Sequence, residues 1–93
     1  MALKRVRVIV SGRVQGVFFR ANTVDMARGL GVNGWVRNCY DGTVEALFQG
    51  EEALVDKAVS WCHKGPPSSL VTDVKVYSET PSEDEFQGFS VRY

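Results

Sequence analysis

The chain has 93 residues, which allows one domain with a modest hydrophobic core. Eleven Lys and Arg residues balance eleven Asp and Glu residues, so no overall positive field favours nucleic acid or an anionic membrane. The N-terminus lacks an apolar signal segment, and no apolar run reaches the roughly 18 residues of a membrane-spanning helix. We expect a single domain over residues 1–93 that is cytoplasmic, monomeric and without nucleic-acid or membrane partners.

The first predicted element is a strand, because Val6, Val8 and Val10 alternate along residues 5–10. Residues 11–20, with the sequence SGRVQGVFFR, follow as a glycine-containing loop. Apolar residues at helical spacing then predict a helix that Gly31 caps at its C-terminus. These apolar residues are Ala21, Val24, Ala27 and Leu30.

The middle of the chain predicts a β-hairpin followed by a second helix. Residues 35–39 and 43–49 have strand patterns, and the Asp41-Gly42 pair between them is a strong hairpin signal. Acidic residues then open a helix that basic residues close before Gly65-Pro66-Pro67. Its apolar stripe consists of Leu54, Val55, Ala58, Trp61 and Cys62.

Two strands and an acidic loop complete the pattern. Residues 70–77 predict a fourth strand, residues 78–85 a solvated loop, and alternating Phe89, Val91 and Tyr93 a short last strand. The order is β-α-β-β-α-β plus one strand. It predicts a ferredoxin-like α+β sandwich, an antiparallel sheet with two helices on one face. Many activities share this fold, so the fold alone does not indicate the function.

The cysteines and the histidine suggest no reactive centre. Cys39 and Cys62 are too few for a disulfide scaffold and lack metal-ligand spacing. We interpret them as free thiols, with a bridge between them as the alternative. His63, at the predicted end of the second helix, is interpreted as a solvated cation, with a ligand or base role as the alternative.

The loop over residues 11–20 has the chemistry of an anion site. It contains no proline, so residues 12–19 keep their backbone N–H donors, and it leads into a helix N-terminus. Arg20 closes it with a guanidinium that matches two phosphate oxygens and cannot lose its charge near neutral pH. A phosphate ligand is therefore predicted, although a surface arginine that bridges nearby acids is the simpler alternative.

Two motifs together resemble the acylphosphatase family. One is residues 10–20; the other is residues 34–38 (GWVRN), followed by Gly42-Thr43-Val44 and by Gly50. The resemblance implies that the chain hydrolyses acyl phosphates to a carboxylate and inorganic phosphate. It implies that Arg20 binds the substrate and that Asn38 orients the attacking water. The turn that follows Asn38 offers another reading of that residue, since Asn is common in turns.

The implied phosphate site is the loop backbone together with Arg20. Its predicted members are Arg13, Val14, Gln15, Gly16, Val17, Phe18, Phe19 and Arg20. Gln15 is also a candidate to fix the shape of the loop. Of the three apolar residues 17–19, two are expected to pack in the core. Arg13 and Arg37 are candidates for added positive potential at the mouth of the site.

Other mechanisms and functions have less support. No nucleophile constellation or paired Asp and His cluster suggests a covalent or metal-assisted reaction, so we expect no cofactor and no metal. The leading alternative is a catalytically silent, acylphosphatase-like module that binds phosphate or regulates a partner. An RNA-recognition domain shares the order of elements, but the third strand has no ladder of aromatic residues.

Overall fold

A computed structural model describes residues 2–82 and 87–93 of the chain. Its strands are β1 (Leu3–Arg13), β2 (Asn33–Asn38), β3 (Val44–Glu51), β4 (Leu70–Glu79) and β5 (Phe89–Val91). Its helices are α1 (Phe19–Leu30) and α2 (Glu52–Lys64). The predicted order of elements is confirmed, including the short last strand.

The five strands form one sheet in the order β4-β1-β3-β2-β5. The pairs among β1 to β4 are antiparallel, whereas β5 lies parallel to β2, with Phe89 opposite Gly34 and Val91 opposite Val36. The ferredoxin-like α+β prediction is confirmed, with one correction. The sheet is mixed rather than wholly antiparallel, because the chain crosses from one sheet edge to the other between β4 and β5.

Both helices pack on the same face of the sheet, as predicted. The alternating valines Val6, Val8 and Val10 of β1 point into this core and are almost fully buried. Helix residues complete the core, since each helix buries one side against the sheet. The buried apolar helix residues are Phe19, Val24, Ala27, Val55, Ala58 and Cys62.

Strand β3 is buried on both faces. The helices cover one face of this strand, and Glu45, Leu47 and Gln49 on the opposite face are also buried. The Glu45 carboxylate accepts hydrogen bonds from Arg7 at 3.0 Å and from Arg37 at 2.6 Å. Long arginine side chains therefore cover this central strand while their charges are paired.

The first strand extends further than the sequence predicts. Gly12 was expected to break it, but Gly12 and Arg13 pair with Val71 and Leu70 of β4 after a register shift. A Cβ atom at Gly12, where φ is 121°, would lie 2.1 Å from the Leu70 carbonyl oxygen. Only glycine allows this close approach, so the loop before α1 is shorter than predicted and spans residues 14–18.

The ends of the helices agree with the predicted caps. Gly31 follows α1 with φ 76°, and its N–H bonds the Ala27 and Arg28 carbonyls. Gly65 follows α2 after a last turn that contains His63. In the described part of the chain, no helix is long and apolar enough to cross a membrane. The predicted loop over residues 78–85 begins later, because β4 includes residues 78 and 79, and residues 83–85 lie outside the described part.

Candidate active site

The loop over residues 14–18 has a backbone that alternates in handedness. Gly16 has φ 73° and Phe18 has φ 62°, whereas Gln15 and Val17 have negative φ values. Alternating signs of φ turn successive N–H groups toward the same side and form a concave anion-binding nest. Within residues 2–82 and 87–93, the N–H groups of residues 15–18 donate no hydrogen bond. The loop therefore presents a set of unpaired donors.

Helix α1 extends this set of donors. It begins at Phe19 without a side-chain cap and without an acidic residue in its first turn. The first N–H groups of a helix have no partner inside the helix, and the dipole makes this end positive. The Asn22 backbone and side-chain N–H groups bond the Phe18 carbonyl at 3.0 and 2.9 Å, and these two bonds hold the loop against the helix.

Arg20 is the second residue of α1 and is half-buried. Its guanidinium carbon lies 5.6 Å from the centre of the Tyr93 ring, a cation–π distance. It forms no ion pair with any carboxylate in the described part of the chain. The Arg20 charge therefore remains available to an anion.

Asn38 is the last residue of β2 and pairs with Val44 of β3. Its side-chain oxygen Oδ1 is buried and accepts no hydrogen bond from any residue that the structure describes. A buried acceptor without a donor costs free energy, so such atoms are rare in folded proteins. This oxygen is the only buried side-chain nitrogen or oxygen atom among the described residues that has no partner.

The turn after Asn38 is held by the loop that carries the unpaired donors. Gln15 donates its side-chain N–H groups to the Cys39 carbonyl at 2.7 Å and to the Thr43 carbonyl at 2.8 Å. Within the turn, the side-chain hydroxyl and the N–H of Thr43 donate to Asp41 and hold the pKa of that carboxyl below its usual value. The predicted shape-fixing role of Gln15 thus corresponds to two observed hydrogen bonds.

The loop, Arg20 and Asn38 meet in one pocket of about 350 Å³. Arg20 supplies the only charged side chain in its described lining, and Asn38 supplies the only side-chain amide there. The lining residues are Val14, Gly16, Phe18, Phe19, Arg20, Ala21, Asn38, Val91 and Tyr93. Two residues that came from two separate sequence motifs therefore line the same cavity.

Comparison with known proteins identifies the family. The family model described as Acylphosphatase matches residues 6–91. An acylphosphatase of Rubrobacter xylanophilus is 58% identical over 96% of this chain and 80% of its own length. An acylphosphatase of Trichormus variabilis is 53% identical over 97% of this chain and 87% of its own. The crystal structure of acylphosphatase from Bacillus subtilis superposes with a TM-score of 0.91 at 39% identity, covering 99% of this chain and 100% of that one.

The chain belongs to the acylphosphatase family. It is therefore an enzyme of the acylphosphatase type that acts on small acyl phosphate substrates. The resemblance of the two motifs to this family is confirmed.

The predicted phosphate-site residues of this acylphosphatase lie in different places. Arg13 ends β1, is exposed and does not line the pocket. Of residues 17–19, Val17 and Phe19 pack against or within the core, as expected, whereas Phe18 is 77% exposed at the pocket. Arg37 donates a hydrogen bond to Glu45, so its charge is paired with that carboxylate. This contact raises the pKa of the Arg37 guanidinium.

Sequence reasoning missed the contribution of the C-terminal residues to the pocket. Tyr93 was assigned only to the alternating pattern of the last strand, yet it lines the pocket and contacts Arg20. The pairing of β5 with β2 was the missing signal, since it brings the C-terminal residues next to Asn38. Among residues 2–82 and 87–93, no three His, Cys, Asp or Glu side chains form a group that could hold a metal ion.

Proposed function

We propose that the loop over residues 14–18, the first turn of α1 and Arg20 bind the phosphate group of an acyl phosphate. We propose that Asn38 positions the water that attacks it. One observation carries this proposal: Arg20, which has no described carboxylate partner, and Asn38, whose buried Oδ1 has no described donor, line the same pocket. A guanidinium and converging N–H groups fit the oxygens of a phosphate, and a carbonyl oxygen accepts a hydrogen bond from water.

The proposed reaction is a direct displacement at phosphorus. The water oxygen forms a bond to phosphorus while the bond between phosphorus and the acyl oxygen breaks, and the carboxylate leaves with the electron pair. A carboxylate is a good leaving group, so no general acid is needed. Positioning and stabilisation of charge then supply the catalysis, as in other phosphoryl transfers.

The proton of the water goes to the phosphate itself. The described lining of the pocket contains no carboxylate, histidine or cysteine side chain that would take it. An acyl phosphate dianion and water then give a carboxylate and dihydrogen phosphate, so atoms and charges balance. Asn38 accepts a hydrogen bond from the water, which leaves a lone pair of the water oxygen directed at phosphorus.

Hydrolysis of benzoyl phosphate and acetyl phosphate by the pure protein tests the activity, and hydrolysis in ¹⁸O-labelled water tests the route. The label is expected in inorganic phosphate. Label in the carboxylate would show attack at the acyl carbon and would overturn the role proposed for Asn38. No hydrolysis of either substrate would favour the silent phosphate-binding module instead.

Substitutions separate the two proposed roles. Asn38→Ala is expected to lower kcat with little change in KM, raising the barrier by about 2.7–4 kcal/mol, as for loss of a preorganised catalytic group. Asn33→Ala, at the other end of β2, is the matched control and should retain kcat. An Asn38→Ala protein that is as active as the Asn33→Ala protein would contradict the water-positioning role.

Arg20→Ala is expected to remove charge-assisted hydrogen bonds to the phosphate. Two such bonds contribute about 3–6 kcal/mol, so kcat/KM should fall by roughly a hundredfold or more. Lys57→Ala, which removes an exposed cation of α2, is the control for net charge. Equal losses in the two variants would point to the overall charge rather than to a bound phosphate.

We also propose that residues 1–93 form a single domain that works as a monomer in the cytoplasm, without metal, cofactor or nucleic acid. Cys39 and Cys62 are both free thiols, which fits a reducing compartment. The core is built from both helices and the sheet of one chain. Light scattering tests the monomer, and unchanged turnover in EDTA tests the independence from metal.

A further inference from the structure

The pocket that holds Arg20 and Asn38 is larger than the phosphate reaction needs. A phosphate group and the attacking water together have five oxygen atoms. At about 30 Å³ for each, the share of one water in the liquid, they fill roughly 150 Å³. The pocket has a volume of about 350 Å³. More than half of it therefore remains for the acyl part of the substrate.

The rest of the pocket wall has no charged side chain and includes two exposed aromatic rings, those of Phe18 and Tyr93. Apart from Arg20, Asn38 and the Gly16 backbone, the described lining consists of aliphatic and aromatic side chains. Phe18 is 77% exposed, and its ring stacks on no other ring in the described part of the chain. An exposed ring beside unpaired N–H donors is a surface for a flat apolar group.

The backbone conformation at Phe18 is unusual for a phenylalanine. Phe18 has φ 62° and ψ 21°, and it is the only non-glycine residue with positive φ in the described part of the chain. Glycine or asparagine would adopt this conformation at lower cost. The alternating backbone explains the positive φ but does not explain a large exposed aromatic side chain at that position.

The in-line geometry of the reaction distinguishes the Phe18 ring from the exposed ring of Tyr40. The leaving oxygen lies in line with the attacking water and on the opposite side of phosphorus, so the acyl group extends away from Asn38. Tyr40 follows Asn38 in the turn and lines a separate pocket with Arg37, Cys39 and Tyr93. Asn38 and Tyr93 border both pockets, whereas Tyr40 lines only the second one, on the side of Asn38 where the water is proposed.

We propose that the Phe18 ring binds the acyl group and that the enzyme prefers acyl phosphates with a planar, aromatic acyl group. This inference rests on the proposed function, because it assumes that phosphate lies on the loop and water at Asn38. The acyl group stacks on the Phe18 ring while the phosphate contacts the N–H groups of the same loop. One residue thereby contributes its backbone to the shape of the phosphate site and its side chain to selectivity.

The test measures the ratio of kcat/KM for benzoyl phosphate to kcat/KM for acetyl phosphate. The two substrates differ in intrinsic reactivity, but that difference is the same for every variant and cancels between them. Phe18→Ala is expected to lower the ratio about two- to tenfold, the contribution of one aromatic contact. Phe18→Tyr keeps the ring and should retain the ratio.

Two further variants keep the test decisive. Phe18→Asn removes the ring but tolerates a positive φ, so it replaces Phe18→Ala if that variant does not fold, and the same fall in ratio is expected. Tyr40→Ala removes a fully exposed ring on the other side of Asn38 and should leave kcat/KM unchanged for both substrates. A ratio that is unaltered in the Phe18 variants, or lowered by Tyr40→Ala instead, would overturn the inference.

These outcomes are distinct from a failure of the proposed function. If the unmodified protein hydrolyses neither substrate, the hydrolytic site is wrong. If it hydrolyses both and loss of the Phe18 ring slows both equally, the hydrolytic site stands and the acyl contact is wrong. Circular dichroism of each variant verifies that the comparison is made between folded proteins.

Discussion

Gln15 links the two halves of the site, so its removal should affect catalysis although its side chain does not line the pocket. Its side chain joins the loop over residues 14–18 to the turn that follows Asn38, through the Cys39 and Thr43 carbonyls. Gln15→Ala deletes both hydrogen bonds but retains the backbone N–H of residue 15. The variant thus separates the fixing of the turn from the donation of N–H groups to phosphate.

The size of the effect follows from the hydrogen bonds that remain. Each lost bond contributes a net 0.5–1.5 kcal/mol, which would total about 1–3 kcal/mol. The Thr43 carbonyl still accepts from the Cys39 N–H at 2.9 Å, and the Cys39 carbonyl from the Gly42 N–H at 3.2 Å. Neither acceptor is left without a partner, so we expect the free energy of unfolding to fall by about 1–2 kcal/mol.

The expected loss of kcat is larger than this loss of stability suggests. Cys39 directly follows Asn38, so a relaxed turn would displace the side chain that we propose holds the water. A misplacement of about 1 Å can cost a hundredfold in rate, and we expect kcat to fall by about ten- to a hundredfold. Urea unfolding measures the stability, and steady-state hydrolysis of benzoyl phosphate measures kcat.

Gln49→Ala is the matched control for Gln15→Ala. The Gln49 side chain also makes two hydrogen bonds to a loop backbone, both to Ser82. Gln49 pairs with Asn33, five residues before Asn38 in β2, which is about 17 Å at 3.4 Å per residue. The control should lose similar stability and keep its kcat. Equal kcat values in the two variants would refute the idea that the Gln15 bonds position Asn38.

Three further predictions concern the thiols, a close backbone contact and the pH dependence. Burial raises the pKa of the Cys62 thiol to about 12, so iodoacetamide should add to Cys39 alone in the folded protein; intact mass showing two adducts would contradict this. Gly34→Ala places a Cβ 1.8 Å from a carbonyl oxygen of β3 at φ 139° and should lower the free energy of unfolding by about 2–4 kcal/mol. Gly29→Ala, in open space on α1, should instead raise it by up to about 1 kcal/mol, and urea unfolding compares the two. Because no proposed catalytic group titrates near neutral pH, kcat should be nearly constant from about pH 6 to 8. A loss that follows a histidine titration would implicate His63, which is exposed on α2.

The fold could be predicted because its signals are local, and two motifs gave the two candidate site residues. Alternating valines in β1 and the apolar stripe of α2 follow from the periods of strand and helix, and both were confirmed. Arg20 and Asn38 became candidates through the resemblance of two motifs to the acylphosphatase family, and the structure brings both residues to one pocket. The sequence alone did not show that their side chains would meet there.

The features that sequence reasoning missed depend on neighbours that are distant in the chain. Gly12 has the local signature of a strand breaker, but β4 pairs with it and turns it into a bulge. Tyr93 reaches the pocket only because β5 joins the sheet beside β2. The positive φ of Phe18 belongs to the alternating backbone of the loop, and nothing in a phenylalanine side chain indicates it.

A protein with no net charge can bind a phosphate dianion if at least one of its positive charges is not paired with a carboxylate. On the helix-free face, Arg7 pairs with Glu45 and Glu79, and Arg37 with Glu45. Arg20 has no such carboxylate in the described part of the chain, and the helix end and N–H groups beside it carry only partial positive charges. The attraction is therefore short-ranged and directional rather than a property of net charge. Under the proposed function, this attraction selects a ligand that fits the loop, which is the recognition that a small acyl phosphate requires.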